Sequence, residues 1–234
     1  MPGAAIEYKS VSRSDTAARG IVRLLWSVVI FLMVIGVAIV VRRTLALSGI
    51  GVSRNAAGLD AAFVRYRVLT MVHILPALFF ILLTPLQFIR GLRTRRPRLH
   101  RWTGRVVVVS GIVVGITALI MSPQMSIGGV SETAATMFFA AIFVFALVRA
   151  FLLIRRRQIA LHREWMIRAF AIALAVATIR PIVGVFFATR ALTHLTPQDF
   201  FGAAFWLGFT THLIAAEVWI NYTRPRLARS AANS

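Results

Sequence analysis

The sequence of 234 residues has no cysteine, one lysine and only seven acidic residues. The absence of cysteine excludes disulfides, iron–sulfur clusters, thiol redox chemistry and covalent attachment of a c-type haem. No two of the few acids form a plausible paired-carboxylate site. The sequence also lacks a phosphate-binding loop, a GxSxG elbow and an HExxH zinc motif. It therefore carries no motif of a hydrolase or of an ATP-driven machine.

What is abundant is apolar sequence and arginine. Hydrophobic residues make up 59% and charged residues 15% of the chain, whereas soluble domains have roughly 45–50% and about 25%. The net charge is +20, and every basic residue except Lys9 is arginine. The arginines lie at the ends of apolar runs, which is typical of membrane proteins that contact anionic lipid headgroups and argues against nucleic-acid binding.

The apolar runs predict an all-α fold, a polytopic membrane bundle of six transmembrane helices. Each run is close to the ~20 residues that a helix needs to cross the hydrocarbon core. We expect residues 24–222 to form one domain, between a tail of residues 1–23 and a tail of residues 223–234. The polar residues before the first run fit an uncleaved first span better than a signal peptide. The predicted spans are 24–41, 68–89, 106–122, 134–154, 165–188 and 203–222.

The distribution of basic residues predicts the orientation. With six spans, twenty basic residues fall in the two tails and in the second–third and fourth–fifth connections, which all lie on one side. Six fall on the other side, and Arg180 lies within a span. Because the cytoplasmic side carries the excess of positive charge, both termini are predicted to be cytoplasmic. The first outer loop, with five arginines, fits this pattern least well.

Four of the five histidines fall at matched depths in the predicted spans. At helical rise, His73 lies roughly 8 Å and His212 roughly 13 Å below the outer edge. His100 and His162 lie at the inner ends of the third and fifth spans, and His194 lies in the last outer loop. Since neutral imidazole is a common axial ligand of haem iron, the outer and inner pairs could each hold a b haem.

Small residues follow both inner histidines along their helices. Gly104, Gly111 and Gly115 fall within about 60° of His100 at 100° per residue. Such a stripe could leave room for a flat macrocycle, but close helix packing is the favoured interpretation because Gly111 and Gly115 form a GxxxG motif.

Other polar side chains lie within the spans. Arg180 falls at a depth close to that of His73, and it could bind an anion such as a haem propionate or an acidic substrate. Glu217 lies near the inner end of the sixth span, where it could carry protons or pair with Arg149 or Arg168. Thr84 and Gln87 share the helix face of His73 and are expected to face the bundle interior.

Five segments of the sequence resemble a known family. They resemble the uncharacterised bacterial membrane family "domain of unknown function 2306". The segments are His73-Ile-Leu-Pro, Thr84-Pro-Leu-Gln-Phe-Ile-Arg-Gly-Leu-Arg, Pro97-Arg-Leu-His-Arg-Trp-Thr-Gly-Arg105, His162-Arg-Glu-Trp-Met-Ile-Arg168 and Ala216-Glu-Val-Trp219. The resemblance covers roughly residues 68–222 and implies a multi-pass protein of the bacterial inner membrane.

The His-x-x-x-Gly-Arg turn is more distantly similar to cytochrome b561-type domains, which move electrons through two b haems held by four histidines. This resemblance implies that His73 and His100 are haem ligands, with His162 as a third and His212 as the least supported fourth. The fourth span contributes no histidine, which is a departure from that pattern.

Three functional hypotheses remain open at this point. The first is a b-haem electron-transfer protein or a membrane oxidoreductase component, with a redox partner. The second is a cofactor-free transporter that uses Arg180, Glu217, Gln87 and Thr84. The third is an accessory or scaffold subunit. Anionic lipids at the cytoplasmic face are expected partners, and a homo-oligomer is possible.

Overall fold

The computed structural model describes residues 3–48 and 57–232, and these ranges contain eight helices and no strand. The long helices are α1 (Gly3–Leu47), α3 (Arg67–Phe88), α5 (Pro97–Met125), α6 (Gly129–Arg155), α7 (Ile159–Thr193) and α8 (Pro197–Ala232). Two short helices, α2 (Ala57–Arg65) and α4 (Arg90–Arg95), lie between them.

The prediction of an all-α fold with six membrane spans is confirmed. Six helices of the described chain are long and apolar enough to cross a membrane, and each contains one predicted span or nearly all of it. Five of these six helices extend beyond their apolar runs at both ends. Helical hydrogen bonding satisfies the backbone through the interfacial region as well as through the hydrocarbon, so polar flanking residues continue the helix.

The two short helices replace parts of what the sequence predicted to be loops. Helix α2 lies before α3 and contacts α1, α3 and α5. Helix α4 separates α3 from α5 and contains Arg90, Arg93 and Arg95. Neither is long enough to be recognised from hydrophobic periodicity alone.

Short turns make consecutive long helices antiparallel from α5 to α8. Arg156–Gln158 joins α6 to α7, and Ser126–Gly128 joins α5 to α6. We call the end of the bundle near Pro97 and Ile159 the terminal face, and the end near Ser126 and His194 the opposite face. Helix α6 packs against α5, α7 and α8, whereas α1, among the residues that the structure describes, packs only against α2, α3 and α7.

Aromatic and small residues fill the core between the helices. Phe80 contacts Phe143 edge to face at 5.3 Å, and Phe139 stacks on Phe209 at 4.8 Å. A Cβ atom at Gly111 would lie 2.5 Å from Leu147 Cδ1 and 2.8 Å from Phe80. This glycine therefore permits close helix packing, which confirms the packing interpretation at that position.

Large apolar side chains also cover the outside of the bundle. Phe31, Val109, Phe145 and Val218 are all more than half exposed. In water such a surface would aggregate, but in a bilayer it faces lipid tails of the same polarity.

Candidate functional site

A cavity of about 270 Å³ lies in the half of the bundle next to the opposite face. Its walls come from all six long helices and from α2. Most lining side chains are apolar, and the polar ones converge on it from different helices. The polar lining residues are Arg43, Thr70, His73, Ser122, Ser126, Glu132, Thr136 and Arg180.

Arg43 enters the cavity from the last turns of α1. It is 5% exposed, and its guanidinium lies 3.7 Å from the centroid of the Phe63 ring on α2. A guanidinium over an aromatic face is attracted to the negative charge of the ring, and this attraction strengthens when water is excluded. The contact therefore fixes the position of a positive charge at the cavity wall.

Glu132 lies in the first turn of α6 and is 7% exposed. Its Oε2 accepts hydrogen bonds from the backbone N–H groups of Ile127 at 2.7 Å and Gly128 at 2.6 Å. These bonds hold the α5–α6 turn at the mouth of the cavity, where a carboxylate is also favoured by the helix dipole. Arg180 on α7 lies close enough for its charge to act on this carboxylate.

His73 is oriented by a hydroxyl on the neighbouring helix. Its Nδ1 lies 2.8 Å from Thr117 Oγ1, and that hydroxyl donates to the carbonyl of Val113 at 2.7 Å. Because the hydroxyl proton is used in the second bond, Nδ1–H of His73 is the donor in the first. Nε2 of the neutral ring then has a lone pair that can accept a proton or a hydrogen bond.

The structure does not bring the predicted outer pair of histidines into one site. His212 Nε2 lies 2.7 Å from Thr178 Oγ1 on α7, and His212 is not among the residues that line the cavity. Within the described parts of the chain, α3 and α8 do not contact each other. His73 and His212 each pair with a threonine on a different helix instead.

The predicted inner pair is closer together. His162 and His100 lie near enough for the charge of one imidazole to act on the other. His162 Nδ1–H donates to the carbonyl of Ala150 at 2.8 Å, which leaves Nε2 without a proton in the neutral ring. His100 Nδ1 is buried and has no hydrogen-bond partner. Among the described residues, no group of three or more His, Asp or Glu side chains is arranged to hold a metal ion.

Glu217 forms a bidentate ion pair with Arg168, one of its two predicted partners. Oε1 accepts from Nε at 2.5 Å and Oε2 from the second guanidinium nitrogen at 2.9 Å. A second bidentate pair joins Arg224 to Glu164 at 3.0 and 2.8 Å. Both pairs connect α7 to α8, so Glu217 here has the geometry of a structural ion pair.

Thr84 and Gln87 face the bundle interior, as expected. Thr84 is fully buried, and its hydroxyl donates to the carbonyl of Phe80 one turn earlier in α3. Gln87 donates to Thr103 Oγ1 on α5 at 2.7 Å. Neither residue lines the cavity, so both serve helix packing in this geometry.

Sequence reasoning placed Arg180 and His73 at one depth but missed Arg43 and Glu132. Both missed residues lie close to the ends of apolar runs, where a charged residue looks like part of an outer loop. The signal for Glu132 was its position three residues after Gly128-Gly129, because a carboxylate in the first helical turn often bonds the turn before it.

The model of a family described as "Predicted membrane protein (DUF2306)" matches residues 70–220. The chain belongs to this family. The match confirms the family resemblance seen in the sequence, whereas the likeness to cytochrome b561 has no such support. Neither a curated protein nor a solved structure matches this DUF2306 protein. Helix α1, which supplies Arg43 to the cavity, lies outside the region of the family match.

Proposed function

We propose that this DUF2306 protein binds a small organic anion in the intramembrane cavity. The observation that carries the proposal is the convergence of Arg43, Arg180 and His73 on one mostly apolar cavity. Mostly apolar cavities with a few convergent polar groups are the usual form of small-molecule sites. Among the described lining residues, the two arginines outnumber the single carboxylate, Glu132.

The membrane setting strengthens this reasoning. Charged side chains within membrane spans are costly, and they commonly mark substrate or ion pathways. Electrostatic attraction is also stronger where water is excluded, so two guanidinium groups in this cavity would hold an anion firmly. The proposal retains the sequence-based expectation that Arg180 binds an anion, and it replaces Glu217 with Arg43 as the second charged residue.

Ligand-dependent thermal stability of the purified protein in an uncharged detergent tests the proposal. The probes are octanoate, benzoate and inorganic phosphate, with octanol and benzyl alcohol as neutral counterparts. We expect at least one anion to raise Tm and its neutral counterpart to have no effect. Because a hydrogen bond to a charged group contributes roughly 1.5–3 kcal/mol, Arg180→Gln should weaken binding about tenfold to a hundredfold.

Arg190→Gln is the matched control, since Arg190 lies on the same helix, is exposed and does not line the cavity. It should bind the anion as the wild type does. The proposal fails if no anion stabilises the protein, or if Arg180→Gln and Arg190→Gln bind equally well.

A second candidate is a b-haem electron-transfer protein with one haem between His100 and His162. It is favoured by the proximity of these two rings and by the Ala150 bond, which orients the His162 ring in the way that ligating histidines are often oriented. A bound haem would supply one-electron transfer, for which the pair would provide axial ligands. A second haem between His73 and His212 stays a prediction; in this structure each of the two rings lies within hydrogen-bond distance of a threonine hydroxyl.

A reduced-minus-oxidised absorption spectrum tests this candidate directly. It requires b-haem bands at about one haem per chain, lost in His100→Ala and His162→Ala. His194→Ala is the control because that side chain is exposed at the end of α7. Colourless protein from haem-replete cells would eliminate the candidate without affecting the anion proposal.

A further inference from the structure

The polarity of the cavity changes along the membrane normal. Arg43, Ser122 and Glu132 lie in the turns of their helices at the opposite face, and Arg180 lies in the half of α7 toward that face. The lining residues nearer the middle of the bundle, on these helices and on α3 and α8, are apolar or small. These deeper residues are Gly36, Phe80, Gly115, Phe143, Ile172, Ala173 and Phe209.

The helices give the depth of this gradient. Arg180 and Ile172 are eight residues apart on α7, which is about 12 Å at helical rise. Glu132 and Phe143 are eleven residues apart on α6, or about 16 Å. The cavity is therefore elongated along the membrane normal, with a charged end and an apolar end.

One side of α1 forms a wall of this elongated cavity. Gly36, Ile39, Val40 and Arg43 line it at intervals of three, one and three residues, so they form a single stripe on the helix. Other side chains of α1, such as Val34 at 62%, are exposed. Within the described residues α1 contacts only α2, α3 and α7, so a single loosely packed helix closes this side.

The volume limits the size of the ligand. A cavity of about 270 Å³ is close to the lower end of the ~300–1,000 Å³ that is typical of small-molecule pockets, so it suits a small ligand. A two-chain lipid is far larger than that, whereas a short single chain with a small headgroup fits.

We infer that the ligand is a single-chain amphiphile with one acidic headgroup, held with the headgroup among Arg43, His73 and Arg180 and the chain against Phe143 and Phe209. This inference rests on the proposed anion binding and names the class of anion. Such a molecule has the same orientation in a bilayer, where its headgroup is nearer the membrane surface and its chain points toward the midplane.

A chain-length series tests the inference. Binding of straight-chain carboxylates from acetate to tetradecanoate is measured by calorimetry with the detergent-purified protein. Each added methylene should tighten binding about fourfold while it enters apolar surroundings. The increase should stop when the chain reaches the apolar end of the cavity, and longer chains should bind no more tightly. Octyl phosphate then shows whether a phosphate headgroup replaces the carboxylate.

The substitution Ala173→Leu distinguishes binding in the cavity from partition of the carboxylates into detergent. Ala173 lines the apolar end, so the larger side chain should make the series level off two to three carbons earlier while acetate and butyrate bind as before. Ala188→Leu, on an exposed position of the same helix, should leave the series unchanged.

The outcomes separate the two proposals. If no carboxylate of any length binds, the proposed function itself is wrong. If carboxylates bind equally at every length, or if Ala173→Leu leaves the limit unchanged, anion binding stands and the amphiphile inference is wrong.

Discussion

The two halves of the bundle place charged side chains among apolar helices in different ways. In the half next to the terminal face, Arg168 and Glu217 meet directly between α7 and α8. In the half next to the opposite face, Arg43, Glu132 and Arg180 line a cavity. In the first arrangement, oppositely charged side chains of two helices contact each other. In the second, charged side chains lie along the walls of a cavity.

This difference separates structural from functional charge within one fold. A charge that neutralises a partner on the next helix fixes the relative position of the two helices. Charged side chains that line a mostly apolar cavity can also contact a ligand bound there. Substitutions in the first group should therefore change stability, and substitutions in the second should change binding.

The largest expected effect comes from placing a larger side chain in the packed core, in comparison with placing it in the cavity. Ala146 on α6 is completely buried and does not line the cavity, whereas Ala118 on α5 does. Because overpacking forces neighbours out of their rotamers, Ala146→Leu should destabilise the protein by about 3 kcal/mol. Ala118→Leu has space available, so it should change stability by less than about 1 kcal/mol.

Thermal melts and calorimetry with octanoate check this pair of variants. Ala118→Leu should weaken octanoate binding although the protein remains stable. Equal destabilisation by the two substitutions would mean that the cavity is not available to a side chain, and the contrast between the two halves would fail.

The membrane spans could be predicted from the sequence because they depend on length and hydrophobicity alone. The matched depths of His73 and Arg180 could also be predicted, since depth follows from a constant rise per residue. The rotation of the helices could be predicted only where a span has a polar face, as α3 has with Thr84 and Gln87. A helix that is apolar on every side has no amphipathic stripe to fix which face points inward. For this reason the choice of Thr117 and Thr178 as histidine partners came only from the structure.

The site residues near helix ends could not be predicted from the sequence either. Arg43 and Glu132 lie where a span gives way to a loop, and a charge there is ordinarily solvated. Their burial depends on α2, which places Phe63 over Arg43, and on the turn that Glu132 holds. Both are tertiary features with weak local signals. Depth along the helices predicted Arg149 or Arg168 as the partner of Glu217. Which of the two it is depends on helix packing, and the structure shows Arg168.

An intermediate effect is expected from breaking the better-shielded ion pair. The Arg168 side chain is 16% exposed and the Glu217 side chain 41%. Glu217→Gln leaves the guanidinium without its carboxylate, which should lower stability by about 2 kcal/mol. Arg168→Gln should have a similar effect, and the double substitution should cost less than the sum because the two residues interact. Octanoate affinity should stay unchanged in all three variants, and a tenfold loss in Glu217→Gln would assign this residue to the ligand site.

The smallest effect is expected at the second pair of the same half. Arg224 is 56% exposed as a side chain, whereas Glu164 is 11% exposed. When Glu164→Gln removes the carboxylate, the arginine can turn toward water or lipid headgroups and recover most of what it loses. We therefore expect a decrease in Tm that is a fraction of the decrease in Glu217→Gln.

Salt dependence distinguishes the two pairs further. The contribution of Glu164 should vanish in about 1 M salt, where the screening length falls to ~3 Å, because its partner Arg224 is exposed. The contribution of Glu217 should persist in part because its partner Arg168 is shielded. Melts of both variants at low and high salt measure this difference. If Glu164→Gln costs as much as Glu217→Gln at high salt, exposure does not determine the strength of these pairs, and the terminal half is held by buried charge at both positions.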